Sequence, residues 1–494
     1  MTFRSSFGET LDMEGVEGLK SLAPVVQKFA RPRLRRIAPG EPYEAWAGPA
    51  PNGGKTGQMH IRRLGRLRLA WVALAAAGAL ALGACGGGGG SGGTEVKKDT
   101  SQASGTVTFW DTSDATNEAP TFKALIKKFT DSHPNIKVTY VNVPFSEAQE
   151  KFRTAAQGNS GAPDVLRSEV AWTPDFASQG YLSDLTAAIG DTSDYLPIPL
   201  SSNQWEGKLY GIPQVTDAPA LLYNKAYLQK AGVDVPSRWN EVTESAPKIK
   251  AANSGLTAAL FLQSGGYFSL PFIYSEGGDL LDVDQKKITI NSPEAAKGVQ
   301  DAVDLVKSGA AKTDTTSDSY NNMMKAFKDG KVAMIINGPW SIADIKTGKA
   351  FSEPTNIGIA TTPTGSSGKS GSPVGGHNYV IYSQTKVQDA AAEFIKYMDS
   401  AESQAFVSKQ LGLLPTRKSA YDQPDVQGNP VVTAFKDVLE KATARPWIPE
   451  GGGLFAALDQ EYPKALSSKE SAQDALNNVA KAWKSGVVTE YSTG

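Results

Sequence analysis

Across 494 residues this chain has one cysteine, Cys85, and three histidines, His60, His133 and His377. A single thiol cannot close an internal disulfide and is too few for the cysteine-rich zinc patterns. There is no HExxH, no GxSxG and no phosphate loop of Walker spacing, so metal-dependent, serine-nucleophile and nucleotide-hydrolysing schemes have no motif to rest on. The early run Gly53-Gly54-Lys55-Thr56-Gly57 lacks that spacing. No metal and no cofactor is expected. A bilayer-spanning segment is also missing: the most apolar stretch, Leu69 to Ala84, is about 16 residues long against the roughly 20 that a spanning helix needs.

That stretch follows Arg62, Arg63, Arg66 and Arg68 and ends in small residues. Basic then apolar is the order of an export signal. Leu82-Gly83-Ala84-Cys85 resembles the lipobox of bacterial lipoproteins, which implies cleavage before Cys85 and lipid on its thiol. Arg62-Arg63 leaves Sec and twin-arginine export both open. Residues 59–84 are therefore expected to be a lipoprotein signal peptide. Residues 1–58, rich in Arg, Pro and Gly, read as an extension ahead of a start at Met59, with a genuine cytoplasmic extension as the alternative. The Gly-rich segment 85–104 is expected to be a flexible tether; a chain of about 20 such residues has an end-to-end distance of roughly 25 Å.

Residues 85–494 hold 38 Lys+Arg and 45 Asp+Glu, a formal charge of −7, which argues against nucleic acid as a partner. Their 410 residues are enough for two or three domains with a large core and no disulfide. In "GTVTFWDTSD", Val107 and Phe109 alternate with polar neighbours, predicting a strand and then a polar loop. A helix with Phe122, Leu125, Ile126 and Phe129 at helical spacing follows. After it come the alternating "NIKVTYVNV", a helix ended by Gly158, and a short strand at Asp164-Val165-Leu166. Strand and helix in alternation predict a sheet covered by helices, with ligands gathering at the carboxyl ends of strands.

The pattern then restarts. "LYGIP" and "ALLYNK" read as strands and "KAYLQKAGV" as a helix. A longer helix has Ser292 as N-cap, Pro293 in its first turn, an apolar face of Ala296, Val299, Val303 and Val306, and Gly309 at its end. "KVAMIINGPW" reads as a buried strand running into a turn. Gln214-Val215-Thr216 and Thr361-Thr362-Pro363-Thr364 are the candidate crossovers between the two halves.

"GKLYGIP", "LLYNK", "SRWNE" and "AFKDGKVAMIINGPW" resemble the marks of extracellular solute-binding proteins of carbohydrate ABC importers. "PQVTDAPALLYNK", "GSPVGGHNY" and "ARPWIPEGG" resemble the maltose/maltodextrin-binding branch. The resemblance spans about residues 105–490. It implies a periplasmic-binding-protein-like α/β fold, with two α/β lobes joined by a multi-strand hinge and a ligand cleft between them. The first lobe would comprise 105–214 and 370–412, the second 217–363 and 417–494. It further implies a monomeric, non-enzymatic binder of an oligosaccharide, delivering to an ABC importer permease, with the lipid on Cys85 holding it at the outside of the membrane.

Sugars offer hydroxyls to carboxylates and amides, and apolar C–H faces to aromatic rings, so a sugar cleft should mix both. Asp114 lies in the polar loop after the first strand and matches a family sugar-contact position. Glu169 and Trp172 follow the strand at Val165 and supply a carboxylate and a ring together. Asp217, after "GIPQVT", aligns with an acidic contact of the relatives, with a turn-forming Asp as the alternative. Tyr267 matches a ring-bearing segment of the second lobe, although Gly265 replaces the family's neighbouring acid. Trp340 matches the family's stacking platform. Gly376 and His377 lie in "VGGHNY", where glycines would let backbone approach a ligand. Trp447 and Phe455 are further candidate platforms, Phe455 standing where some relatives have Trp.

An exported glycoside hydrolase would also place acids and rings in a cleft, with two carboxyls across the scissile bond. A structural or adhesive lipoprotein would have no deep cleft. Trehalose or another oligosaccharide remains open beside maltose and maltodextrins.

Overall fold

The computed structural model describes residues 94–493; the extension 1–58, the expected signal 59–84 and Cys85 lie outside the described residues. Alternation along β1 (Gly105–Asp111) sends Val107 and Phe109 into one layer and Trp110 into the other. Helix α1 (Ala119–Ser132) meets the first layer with Phe122, Leu125, Ile126 and Phe129, the four positions its helical spacing puts on one face. Strand β2 (Ile136–Asn142) lies parallel to β1, and α2 (Phe145–Gln157) buries Phe152 in the opposite layer. Strand β3 (Val165–Glu169) is parallel to β1 on its other side. Helix α3 (Trp172–Ser178) leaves the carboxyl end of β3, and β4 (Gly211–Asp217) is fully buried.

The second lobe opens with β5 (Ala220–Asn224) and α4 (Lys225–Ala231), where Asn224 caps the helix by accepting from the Tyr227 amide at 3.1 Å. It continues through β6 (Ala258–Gln263), α5 (Pro293–Lys307), β7 (Ala311–Asp314), α6 (Ser319–Lys328), β8 (Val332–Asn337) and β9 (Ile357–Ala360). Ser292 caps α5 through the Ala295 amide, and Gly309 follows its end with φ of 72°. The chain returns to the first lobe as β10 (Gly375–Ile381), α7 (Gln388–Met398) and α8 (Ala401–Leu411), then ends in the second with α9 (Pro430–Glu440), α10 (Phe455–Leu466) and α11 (Ala472–Gly486). The two sheets have the orders β2-β1-β3-β10-β4 and β7-β6-β8-β5-β9. In the first, β10 is antiparallel to both neighbours. Each lobe is thus built on one five-stranded sheet.

The passages between lobes differ in detail from the expected crossovers. Thr216 is inside the first sheet, opposite Gly376, and the chain crosses at 217–220. Thr362 belongs to the second lobe: its hydroxyl meets those of Ser370 at 2.8 Å and Ser372 at 3.3 Å, and Ser372 donates to the Pro219 carbonyl. The Ser366 amide is bound by Glu276 at 2.7 Å. Residues 364–372 are thus held by the second lobe, and the second passage falls at 373–375. Around the third, Leu414 sits in the second core, while Arg417 pairs with Asp194 at 3.2 Å and Ser419 donates to Asp194 at 2.7 Å on the first lobe. Helix α9 joins Leu414 in the second core with Phe435 and Val438.

The segment expected to be all tether is also partly bound. Val96 is fully buried in the first core, and Thr100 is buried as well.

Gly376 has φ of 139° and packs so tightly on β4 that a Cβ would collide with the Val215 carbonyl oxygen. The glycine therefore serves an approach of strand to strand. Gly376→Ala should destabilise the protein by about 1–3 kcal/mol, read as a lowered melting temperature. Melting indistinguishable from wild type would show that the strand pair absorbs the change.

Candidate functional site

Three chain ends of the first sheet meet where the chain crosses to the second lobe. Strand β3 ends at Glu169, β4 ends at Asp217, and β10 begins at Gly375; register pairs Glu169 with His377 and Asp217 with Gly375. Carboxyl ends of strands in open α/β sheets are where ligands bind.

Arg445 reaches the same point from the second lobe, on the segment between α9 and α10. Its Nη2 forms an ion pair with Glu169 Oε1, and its Nε donates to the Val374 carbonyl at 2.9 Å. The guanidinium lies 5.5 Å from the ring centre of Tyr267, 5.4 Å from Trp447 and 5.5 Å from Phe455. Ring faces are electron-rich, so three of them offset part of the loss of water around a buried cation. The other Glu169 oxygen accepts from the Ala171 amide at 2.8 Å, which fixes the carboxylate between strand and helix.

Around this centre the charges are enclosed. Burial pushes the Asp217 carboxyl up to about 7, against the pull of Arg445 and with Glu169 adding to the rise. Burial, with Arg167 and Arg445 nearby, holds His377 well below the ordinary imidazole range, so its ring is neutral. Burial also raises Glu118, opposed by Arg167. Arg167 is buried in β3, where its Nε donates to Gln214 at 2.9 Å.

The second lobe presents a continuous run of rings. Phe455 lies 6.1 Å from Tyr267, Tyr267 lies 5.6 Å from Phe268, and Phe268 lies 6.4 Å from Tyr320. Trp340 donates its Nε1 proton to the Tyr320 hydroxyl at 3.2 Å, and its ring lies over Gly338, where a Cβ would strike it. On the first lobe Phe145 stacks on Trp172 at 5.1 Å and meets the edge of His377 at 5.9 Å. Trp172 is built into the first lobe's core, while Phe145 is 49% exposed at the rim.

Glu169, Trp172, Asp217, Tyr267, Gly376, His377, Trp447 and Phe455 are thus gathered around Arg445, and Trp340 joins them through Tyr320 and Phe268. Asp114 stands apart. Its Oδ1 accepts from the Thr116 and Asn117 amides at 3.0 and 2.7 Å, closing its own turn, and its side chain is exposed. The buried acid behind it is Glu118, whose Oε2 accepts from the Asp114 amide at 3.0 Å. Arg445, Glu118, Phe145, Phe268 and Tyr320 escaped the sequence reading. Phe268 adjoins Tyr267, and Arg445 lies within "ARPW", so those two had a signal. The other three occupy helix starts with no distinguishing pattern.

The two walls touch. Gly452 packs on Trp172, where a Cβ would stand 3.2 Å from Cδ1, and Trp340 packs against the first lobe's core. In this closed arrangement Glu118 Oε1, both ring nitrogens of His377 and Trp447 Nε1 are buried with no hydrogen-bond partner among the described residues. Each such atom costs about 1–3 kcal/mol unless something supplies its bond.

Comparisons with known proteins agree with this architecture. The family description of bacterial extracellular solute-binding proteins matches residues 114–405. The GacH receptor of Streptomyces glaucescens, solved unliganded and with acarbose and an acarbose homolog, is 46% identical, with a TM-score of 0.76 covering 79% of this chain and 100% of its own. Maltose-bound MalE3 of T. maritima is 27% identical, with a TM-score of 0.70 covering 77% of this chain and 99% of its own. The maltotriose-binding protein of Pyrococcus abyssi is 22% identical over 378 residues, which is 75% of this chain and 79% of the relative. These relatives are binding proteins, not enzymes. With a match over more than half its length, the chain belongs to the bacterial extracellular solute-binding proteins, an extracytoplasmic family.

Proposed function

We propose that this protein captures an oligosaccharide of the maltodextrin type between its lobes and hands it, unchanged, to the permease of an ABC importer. A lipid on Cys85 keeps it at the outer face of the membrane, and it acts as a monomer. The observation that carries the reading is the pairing of an unbroken ring wall on one lobe with buried polar atoms lacking partners on both. Glucose rings joined by α-links offer alternating C–H faces and hydroxyls, the two chemistries this surface calls for. The sugar-bound relatives support the same class. In this reading Trp340, Tyr267, Phe455 and Trp447 stack on sugar faces, Asp217, Glu169 and His377 take hydroxyls, and Gly376 shapes the floor. Asp114 takes part through its second carboxylate oxygen at the outer end, with Trp172 backing the first wall.

Calorimetry against maltotriose, longer maltodextrins, trehalose and acarbose tests the class; binding to none of them, or cleavage of maltodextrin, contradicts it. Trp340→Ala should weaken the preferred sugar by roughly tenfold to a hundredfold, because large central rings each carry about 2 kcal/mol or more. A folded variant of unchanged affinity would assign the ring to lobe packing alone.

Asp217 adds a proton signature. With its carboxyl at about 7, roughly half the molecules carry that proton at pH 7. Closing over Asp217 raises its pKa and sugar hydroxyls donating to it lower it again, so sugar binding at that pH should be coupled to proton exchange through this carboxyl. Binding enthalpies measured in buffers of different ionisation heat read the number of protons exchanged directly. Asp217→Asn should change that number, and an exchange that the substitution leaves unaltered would contradict a contact of sugar with this carboxylate.

A further inference from the structure

Residues 94–104 are not free chain. Glu95 bridges to Asp184 in parallel, with the Val96 amide donating to the Asp184 carbonyl at 2.9 Å and the Asp184 amide to the Thr94 carbonyl at 3.1 Å. Val96 is 0% exposed and belongs to the first lobe's core, beside residues such as Leu185 and Phe394. Thr100 is the second anchor. Its hydroxyl donates to Glu393 on α7 and accepts from Lys396 at 3.2 Å, and the Ala103 amide turns back onto its carbonyl at 3.0 Å. Glu95, Lys97, Lys98 and Asp99 are all exposed, so the segment carries no net charge. A Gly/Ser linker has no reason to make any of these contacts. The segment has a buried Val and a buried Thr at the two points where it touches the lobe.

The geometry points to a docking strap: residues 94–104 fasten the chain to the Asp184–α7 face of the first lobe, so that this face is turned towards the lipid surface. The inference rests on the lipid anchor at Cys85 proposed above. Only the eight Gly and Ser residues 86–93 then separate Cys85 from the lobe. A chain of that composition and length spans about 15 Å, and at full stretch about 27 Å, against roughly 25 Å on average for the whole segment if unbound. The short leash leaves one face close to the bilayer. A protein held in this way presents its cleft and second lobe in a narrow range of orientations, which shortens the search for the permease.

The test uses the full-length lipoprotein in phosphatidylglycerol-containing liposomes whose headgroups carry a quencher. With Cys85 acylated, a dye can be placed at one introduced thiol: Lys208→Cys, beside Asp184, or Lys325→Cys on the second lobe. The strap predicts several-fold stronger quenching at position 208 than at 325, and slowed hydrogen exchange of the amides of Val96 and Ala103. Val96→Asp should abolish both the difference and the protection while leaving sugar affinity unchanged. Should Val96→Asp fail to fold, Val96→Ala with Thr100→Val makes the same comparison. Equal quenching at the two positions, exchange at unstructured rates, or a difference that survives these variants overturns the proposal. Cys85→Ser separates the two readings: if that protein stays membrane-bound, the anchor reading fails, while exchange at Val96 and Ala103 still decides whether the strap is docked.

Discussion

The ion pair between Arg445 and Glu169 is the constraint around which the site is organised. It joins a loop of the second lobe to the end of a central strand of the first, with both side chains largely shielded from solvent. Breaking a buried pair by removing one partner typically costs about 3–5 kcal/mol, because the other charge is left uncompensated. Three rings surround the guanidinium, so the positions of Tyr267, Trp447 and Phe455 are set by a charge on their own lobe, and that charge is set by a carboxylate on the other. The stacking wall and the polar wall are therefore held in register by one contact.

That register has a consequence for the closed form. In this arrangement Glu118 Oε1, the His377 nitrogens and Trp447 Nε1 are buried without protein partners, a penalty of several kcal/mol in total. Against it stand the ion pair and the contact of Gly452 with Trp172. A ligand that supplies hydrogen bonds to the orphaned atoms removes the penalty only when both walls are in reach. Such a ligand has higher affinity for the closed form, and differential affinity is the only means by which it can shift the equilibrium. The passages at 217–220 and 373–375 are short, so bending between the lobes falls on a few residues.

The elements whose residues repeat with a clear period were legible in the sequence. The alternation at Val107 and Phe109, the stripe from Phe122 to Phe129 and the cap at Ser292 correspond to β1, α1 and the start of α5. The passages between lobes were less so. Thr361–Thr364 reads as a strand exit, yet a serine-rich hydroxyl network and Glu276 tie the following residues to the second lobe, and long-range bonds of that kind leave no local pattern. In the same way Val96 is a single apolar residue in a polar stretch, invisible to any periodicity. At the site, rings and acids near strand ends were found, whereas Arg445 was passed over because a cation is not what a sugar cleft first suggests. Asp114 was singled out by its loop position, but the carboxylate one helical turn on, Glu118, is the one that folding buries.

Closure over a ligand that touches both walls is the central claim, and small-angle scattering of the protein with and without saturating maltotriose tests it most directly. Sugar should give a smaller radius of gyration in the wild type and no change in Arg445→Met, which keeps bulk at that position but cannot pair with Glu169. A wild-type radius that sugar leaves unchanged, or contraction that persists fully in Arg445→Met, would contradict it.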